Sequence, residues 1–350
     1  ALSLPGAHAS FGMSDAEITR HVTEAVQELE PDLVLFGNIH GGNWPIDIIA
    51  AVRDQGFATA AYMHDVHWVT GRCAYPGNCD AYLGRGCDAL CPTADQYPRL
   101  PRDQINPAWR RRADVFCGKK AVPLLANSDW TKDVAFARFG DAARLETLYL
   151  GLDENLFQPR SRKEARALLG LDDDRPMILL GSVNVQENRK GGPILAELLQ
   201  TLARRDDLGV LAFGHNSEDL PCTRAFGGIT DERMMALIYN AADIFVGTAR
   251  EEAFGQTIIE ANASGLPVVA FAAGGALEAM ENGVTGVAVE RFTAAAIMEE
   301  IDRMLADPDR MAQMGAAGRQ HVLAKFTLRH QFDGARDVLG KLWPASKNAV

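Results

Sequence analysis

Arg250-Glu251-Glu252-Ala253-Phe254-Gly255-Gln256-Thr257-Ile258-Ile259-Glu260 runs on into Ala261-Asn262-Ala263-Ser264-Gly265-Leu266-Pro267-Val268-Val269-Ala270-Phe271 and closes on Gly274-Gly275. The stretch reads as a loop, a short helix, a turn, a buried strand and a second glycine loop. Glu252 and Glu260 stand eight residues apart. That spacing puts one carboxylate in the loop before the helix and the other about two turns inside it. Backbone N–H groups at a helix start lack intrahelical partners and attract anions, and each carboxylate can accept from a pair of sugar hydroxyls. The segment suits a ligand with a phosphate between two hydroxyl-bearing ends. Spacing alone is weak, because surface glutamates and ordinary strand–helix–strand turns give the same pattern. The order of the whole segment carries the reading.

Outward from that stretch, 350 residues leave room for two domains. Apolar content of 47% and charged content of 23% are those of an ordinary soluble globular protein. No apolar run is long enough to span a bilayer, and the start shows no signal-peptide pattern, although Ala1 is not an initiator methionine. The expected location is cytoplasmic, at most peripheral to a membrane. A net charge of −11 argues against nucleic acid as a partner, since neutralising phosphates needs a basic face. Six cysteines do not make a secreted disulfide scaffold.

In chain order, the residues up to Gly12 carry no period and read as a loop or arm. Ser14-Asp15-Ala16-Glu17 is a capping box, and Ile18, Val22, Val26 and Leu29 then share a helical face up to Pro31. Asp32 to Gly37 reads as a parallel strand covered on both faces. A helix over 44–54 and a strand over 59–63 complete a β-α-β order, which predicts a doubly wound parallel sheet. Ligands of such sheets bind beyond the carboxyl ends of strands. His64, Asp65 and His67 therefore sit where chemistry is expected, the plain alternative being a histidine that caps a strand end.

Cys73, Cys79, Cys87 and Cys91 follow in a loop over 70–95. Their spacing is compatible with a closed structural zinc site, with reduced buried thiols or with two disulfides. Arg99, Arg102, Arg110, Arg111 and Arg112 form a basic run, either a solvated helix face or a docking surface for an anionic acceptor or lipid phosphate. A strand over 122–126 leads to a helix capped by Ser128. Asp172-Asp173-Asp174 reads as a solvated turn. A strand over 176–181 runs into Ser182 to Gly192, where Arg189 offers a bidentate fork and Lys190 a point charge to a diphosphate. The plain alternative is a solvent-facing basic turn. A strand over 211–214 delivers His215 and Asn216 to the same edge. Asp231 caps a helix to about Ala241, a strand over 244–247 feeds the opening stretch, and 294–342 is helical.

The opening stretch resembles the donor-site signature of GT-B glycosyltransferases, in particular the large retaining family 4. There, Glu–small–Phe–Gly, four residues and a second Glu continue into Ala-x-Gly-x-Pro-Val-Val-Ala and Gly-Gly. Lys190-Gly191, Tyr239 with Ala242-Asp243, Asn127-Ser128 and Gly151 to Pro159 resemble further family landmarks. Ser182 stands where the family has an Arg, a role that would pass to Arg189, and Thr248-Ala249 stands where it often has Pro-Ser. The resemblance implies two Rossmann-like domains, 1–157 on the acceptor side and 158–328 holding the nucleotide sugar, with a helix over 329–350 crossing back to the first. A strand, Gly-Gly loop and helix expected before Ser14 are missing, so the first domain reads as incomplete.

For function, the resemblance implies transfer from a UDP- or GDP-sugar to a hydroxyl of a glycan or lipid-linked glycan, with retention and no catalytic cofactor. Glu260 would bind the ribose hydroxyls and Glu252 the transferred sugar. N–H groups from Phe254, Gly255, Gln256 and Thr257, with Arg189 and Lys190, would hold the diphosphate. His64 would touch the sugar or the acceptor, with Asp65 and His67 on the acceptor side. A nucleotide-sugar 2-epimerase and a non-catalytic binding subunit are the rival functions.

Overall fold

The computed structural model describes residues 12–218 and 220–344. The expected N-terminal arm lies, apart from Gly12, outside the described residues. The chain divides into two compact units. Residues up to Tyr149 together with those from Gly334 form the first, and Leu150–Asp333 form the second.

The first unit runs α1 (Asp15–Leu29), β1 (Val34–Phe36), α2 (Asp47–Asp54), β2 (Thr59–Met63), α3 (Arg102–Phe116), β3 (Leu124–Ala126), α4 (Asp129–Phe139) and β4 (Leu145–Thr147). Two of its helices start where side chains cap them. Ser14 and Glu17 close the expected capping box on α1, and Ser128 with Thr131 closes a second on α4. The four strands are all parallel and lie in sequence order. β2 is buried along its whole length, and its Met63 shares a core with Ile48, Ile49, Leu124 and Phe116.

The second unit runs α5 (Arg162–Leu168), β5 (Met177–Asn184), α6 (Gly192–Leu202), β6 (Gly209–His215), β7 (Arg224–Ala225), α7 (Glu232–Ala241), β8 (Ile244–Gly247), α8 (Gln256–Ala263), β9 (Val268–Phe271), α9 (Ala276–Ala279), β10 (Gly286–Val289), α10 (Ala294–Leu305) and α11 (Pro308–Lys325). A last helix, α12 (Leu328–Leu342), is divided between the units. The sheet order is β10-β9-β8-β5-β6-β7, all parallel. The strand that comes first in sequence is central, and the winding reverses between β5 and β8. That is the doubly wound arrangement, with its ligand crevice at the reversal.

β1, α2 and β3 begin two or three residues later than the sequence reading has them, β6 begins two residues earlier, and three further boundaries differ. β5 continues through Ser182-Val183-Asn184, because a register shift lets Asn184 pair with His215 after Gly181 pairs with Phe213. The first division falls at Tyr149/Leu150 instead of 157/158. Leu152 is already tied to the second unit, donating its N–H to the Phe326 carbonyl and accepting from Leu328. The second division falls at Asp333/Gly334 instead of 328/329.

Candidate functional site

Beyond the carboxyl ends of β5 and β8 lies a cavity of about 160 Å³, lined among others by Gly181, Ser182, Lys190, Thr248, Glu252, Gln256 and Thr257. Two glycines let its walls approach. Gly191, at φ +80°, caps α6, and a Cβ there would strike the Thr248 carbonyl. The Thr248 hydroxyl donates to the Lys190 carbonyl at 2.8 Å, fixing the Lys190 turn against the end of β8. Gly275 donates its N–H to the Glu252 carbonyl at 2.8 Å, and a Cβ there would overlap the Ala253 carbonyl. Gly275→Ala should therefore cost about 1–3 kcal/mol, as overpacking against backbone does. Urea unfolding should show a lower midpoint, and an unchanged one would reject this account of the loop.

Inside the cavity Lys190 Nζ and Glu252 Oε2 are 2.6 Å apart, with side chains 17% and 15% exposed. The α8 N-terminus beside them starts at Gly255, φ +106°, and no side chain caps it. The lining thus combines a cation, an anion and a helix start without a side-chain acceptor, a set that can take a phosphate at one end and hydroxyls at the other.

Other expected contacts lie elsewhere. Arg189 does not line the cavity. Its Nε is held by Glu187 Oε1 at 2.8 Å, and it also donates to the Glu251 carbonyl. Phe254 is buried edge-on against Phe326, with centroids 5.2 Å apart. Glu260 sits one turn inside α8, not two, since the helix starts only at Gln256. It accepts from Tyr239 Oη at 3.0 Å, off the cavity lining. Burial pushes its carboxyl up to about 7, against the opposing hydrogen bonds from Tyr239 and Gln256.

In the first unit, His64 follows β2 directly and is exposed, with its ring edge-on to Tyr62. Partial burial of the ring lowers its pKa, Asp65 opposes this, and His40 adds to it. Asp65 is buried and faces a residue the sequence reading missed. His40 Nε2 lies 2.9 Å from Asp65 Oδ2, and His40 Nδ1 lies 3.0 Å from Tyr97 Oη. The available signal was position, since His40-Gly41-Gly42 lies just beyond β1. His67 is committed to the scaffold. Arg112 Nη2 stands 2.9 Å from its Nε2, and the Arg72 carbonyl 2.9 Å from its Nδ1. Arginine only donates, so we assign the Nδ1–H tautomer. Burial and the neighbouring Arg112 hold this ring neutral, well below the usual histidine range.

The four loop cysteines line one small cavity, and the structure holds them as free thiols. A closed zinc site needs four thiolates about 2.3 Å from one centre. Among the described residues no three His, Cys, Asp or Glu side chains stand in a metal-holding group. Cys87 Sγ instead accepts from the Gly71 N–H at 3.2 Å, while Cys73 and Cys91 each face the Thr93 hydroxyl. The loop is also pinned by arginines. Arg138 donates to the carbonyls of Val69 and Trp109, and Arg102 to those of Ala89 and Cys91.

A family model described as "Glycosyl transferases group 1" matches residues 161–321. The chain is 36% identical over 288 residues to D-inositol 3-phosphate glycosyltransferase 1 of Catenulispora acidiphila, covering 74% of this chain and 67% of that protein. It is 30% identical over 221 residues to the GDP-mannose-dependent alpha-(1-6)-phosphatidylinositol monomannoside mannosyltransferase of Mycobacterium tuberculosis, covering 57% of this chain and 56% of the relative. The fold is similar to sucrose-phosphate synthase of Thermosynechococcus elongatus (TM-score 0.72, 21% identity, 95% of this chain and 78% of that one). It is also similar to Anabaena HepE solved with UDP-glucose (TM-score 0.69, 18% identity, 93% and 82%).

Proposed function

The chain belongs to the glycosyl transferases group 1 family, and on that premise we propose that it moves a sugar from a nucleotide-diphosphate sugar to a hydroxyl acceptor with retention of anomeric configuration. One observation carries the reading: Lys190, Glu252 and the α8 N-terminus meet in one cavity at the β5/β8 reversal. In this proposal the second unit holds the donor and the first takes the acceptor. Lys190 and the α8 N–H groups take the diphosphate and stabilise charge as it leaves. Glu252 accepts from hydroxyls of the transferred sugar and Glu260 from the ribose. His64 contacts sugar or acceptor. No protein nucleophile is assigned, because the leaving phosphate can accept the proton of the incoming hydroxyl on the same face. The proposal gives no role to a catalytic metal, places the reaction in the cytoplasm, and takes a glycan or lipid-linked glycan as acceptor. Among the described residues no helix is long and apolar enough to cross a membrane.

The test incubates the purified protein with UDP- and GDP-sugars, with and without lipid-linked glycan acceptors, and reads the anomeric configuration of the product by NMR. Transfer with retention supports the proposal. Release of an epimerised free sugar without acceptor, or nucleotide binding with neither hydrolysis nor transfer, rejects it.

Glu260 gives a pH dependence. Only the ionised carboxylate accepts both ribose hydroxyls, and with a pKa near 7 its ionised fraction rises between pH 6 and 8. Nucleotide affinity should rise several-fold across that window and become flat in Glu260→Gln. Stability of the unliganded protein should move the other way. The folded state keeps a proton that the unfolded chain loses at its ordinary pKa of about 4.3, so this group's contribution falls as pH rises from there to about 7. Calorimetry and thermal unfolding at four pH values measure the two trends. Parallel trends would remove Glu260 from the ribose site.

A further inference from the structure

Most polar side chains lining the cavity at the β5/β8 reversal are already engaged within the protein. Lys190 and Glu252 hold each other, the Thr248 hydroxyl donates to the Lys190 carbonyl, and the Ser182 hydroxyl donates to the Asn184 carbonyl at 2.9 Å. Gln256 differs from them. It is the first residue of α8 and lines the same cavity. Its side-chain oxygen, Oε1, is buried and has no hydrogen-bond partner. Among the described residues, no other residue lining this cavity carries such an atom.

The other end of the amide has a fixed task. Gln256 and Glu260 stand one helical turn apart on α8. The Gln256 side chain hydrogen-bonds the Glu260 carboxyl, as Tyr239 Oη does. An ionised carboxylate only accepts, so Nε2 faces Glu260, and this settles which end of the amide is the oxygen. Turning the amide over would set two acceptors against each other. The side chain therefore keeps Oε1 without a donor, and a buried acceptor in that state is costly until a donor arrives.

A nucleotide-diphosphate sugar brings few groups that can donate here. Its ionised diphosphate has no proton to give, its ribose hydroxyls go to Glu260, and its base lies beyond the ribose. The hydroxyls of the transferred sugar remain, and Glu252, placed on that sugar, lines the same cavity. With Lys190 drawn to the diphosphate, the sugar meets a carboxylate and an amide oxygen, both acceptors. A hydroxyl satisfies either. A sugar carboxylate offers only lone pairs, so it leaves Oε1 without a donor and is repelled by Glu252. We infer that Gln256 determines which sugar the site takes: its Oε1 accepts a hydroxyl of the transferred sugar, and with Glu252 it selects neutral, hydroxyl-bearing sugars over sugars that carry a carboxylate. The assignment rests on the transfer reading above, which places the donor in this cavity.

The experiment measures binding by calorimetry of UDP-glucose beside UDP-glucuronic acid, GDP-mannose beside GDP-mannuronic acid, and bare UDP and GDP. It is run at about pH 8.5, above the Glu260 pKa of about 7, so that losing the Gln256 hydrogen bond changes the ionisation of Glu260 little. The wild-type protein should bind a neutral donor, and its uronic counterpart at least about tenfold more weakly. Gln256→Leu should weaken the neutral donor about tenfold and leave the bare nucleotide diphosphate unchanged. Gln256→Lys puts a cation where the acceptor stood and should narrow or reverse the preference against the uronic donor. Circular dichroism and retained affinity for the bare nucleotide show that each variant folds, and either variant suffices if the other does not. Equal wild-type binding of a neutral donor and its uronic counterpart overturns the assignment. So does an unaffected neutral donor in Gln256→Leu, an unchanged preference in Gln256→Lys, or a wild-type protein that binds none of the donors. An equal loss for donor and bare nucleotide also overturns it, because the contact is then with the nucleotide. The expected binding pattern without transfer to any acceptor would strike the transfer proposal instead and leave the role of Gln256 standing.

Discussion

Glu252→Ala should lower kcat/KM for transfer at least about tenfold while leaving affinity for the bare nucleotide diphosphate unreduced. A hydrogen bond to a charged group contributes roughly 1.5–3 kcal/mol, and 1.4 kcal/mol corresponds to a factor of about ten in rate. The split between the two readouts follows from the ion pair. In the unliganded site Glu252 holds Lys190 at 2.6 Å, so it competes with a phosphate for the same ammonium. Removing the carboxylate frees Lys190 for the diphosphate and deprives only the sugar of its acceptor. Isothermal titration with UDP and GDP beside steady-state kinetics separates these effects. A tenfold loss of nucleotide affinity, or unchanged turnover, would reject the assigned role.

Lys190→Ala should have the opposite signature and the larger effect on binding. The nucleotide diphosphate should bind roughly ten- to a hundredfold more weakly, because Lys190 is the cation that lines the cavity while Arg189 is held by Glu187 and the Glu251 carbonyl. Stability should fall as well. The substitution leaves Glu252, 15% exposed, without its cation, and stripping one partner from a fully buried pair costs about 3–5 kcal/mol, less in this partly open site. Calorimetry on Lys190→Ala, Glu252→Ala and the double variant closes a cycle whose coupling term isolates the pair. Equal nucleotide affinity in Lys190→Ala would remove it from the diphosphate site, and Arg189→Ala then becomes the informative variant.

What the sequence made legible was local. β2 and β8 fall on the expected residues because short apolar runs between turn signals leave little choice of register. The caps at Ser14, Ser128 and Asp231 are hydrogen bonds over three residues or fewer, so spacing specifies them. The order of the Arg250–Gly275 stretch carried the GT-B resemblance, which the similarity to solved folds bears out. Illegible features depended on distant partners or on side-chain direction. Arg189 and Lys190 are neighbours in sequence and looked equivalent. Glu187, two residues earlier, captures one, while Glu252, sixty-two residues later, receives the other. His40 gains its importance from Asp65 and Tyr97, contacts over 25 and 57 residues that no local pattern encodes. The cysteine spacing is compatible with several chemistries, because spacing along a loop does not fix where the four thiols meet in space.

The second unit is an insertion within the first, because residues from Gly334 on return to the unit that began the chain. That arrangement has a kinetic meaning. During synthesis the first unit emerges early yet cannot be completed until its last segment, where Arg144 bonds the Leu342 carbonyl and stacks on Trp343, has left the ribosome. Closing so long a loop at random is entropically unfavourable. Folding of the second unit shortens it, since the Leu152–Thr327 bridge brings the two ends of the insertion side by side. The second unit thereby acts as an internal template, and a defect that slows its folding delays completion of the first unit as well.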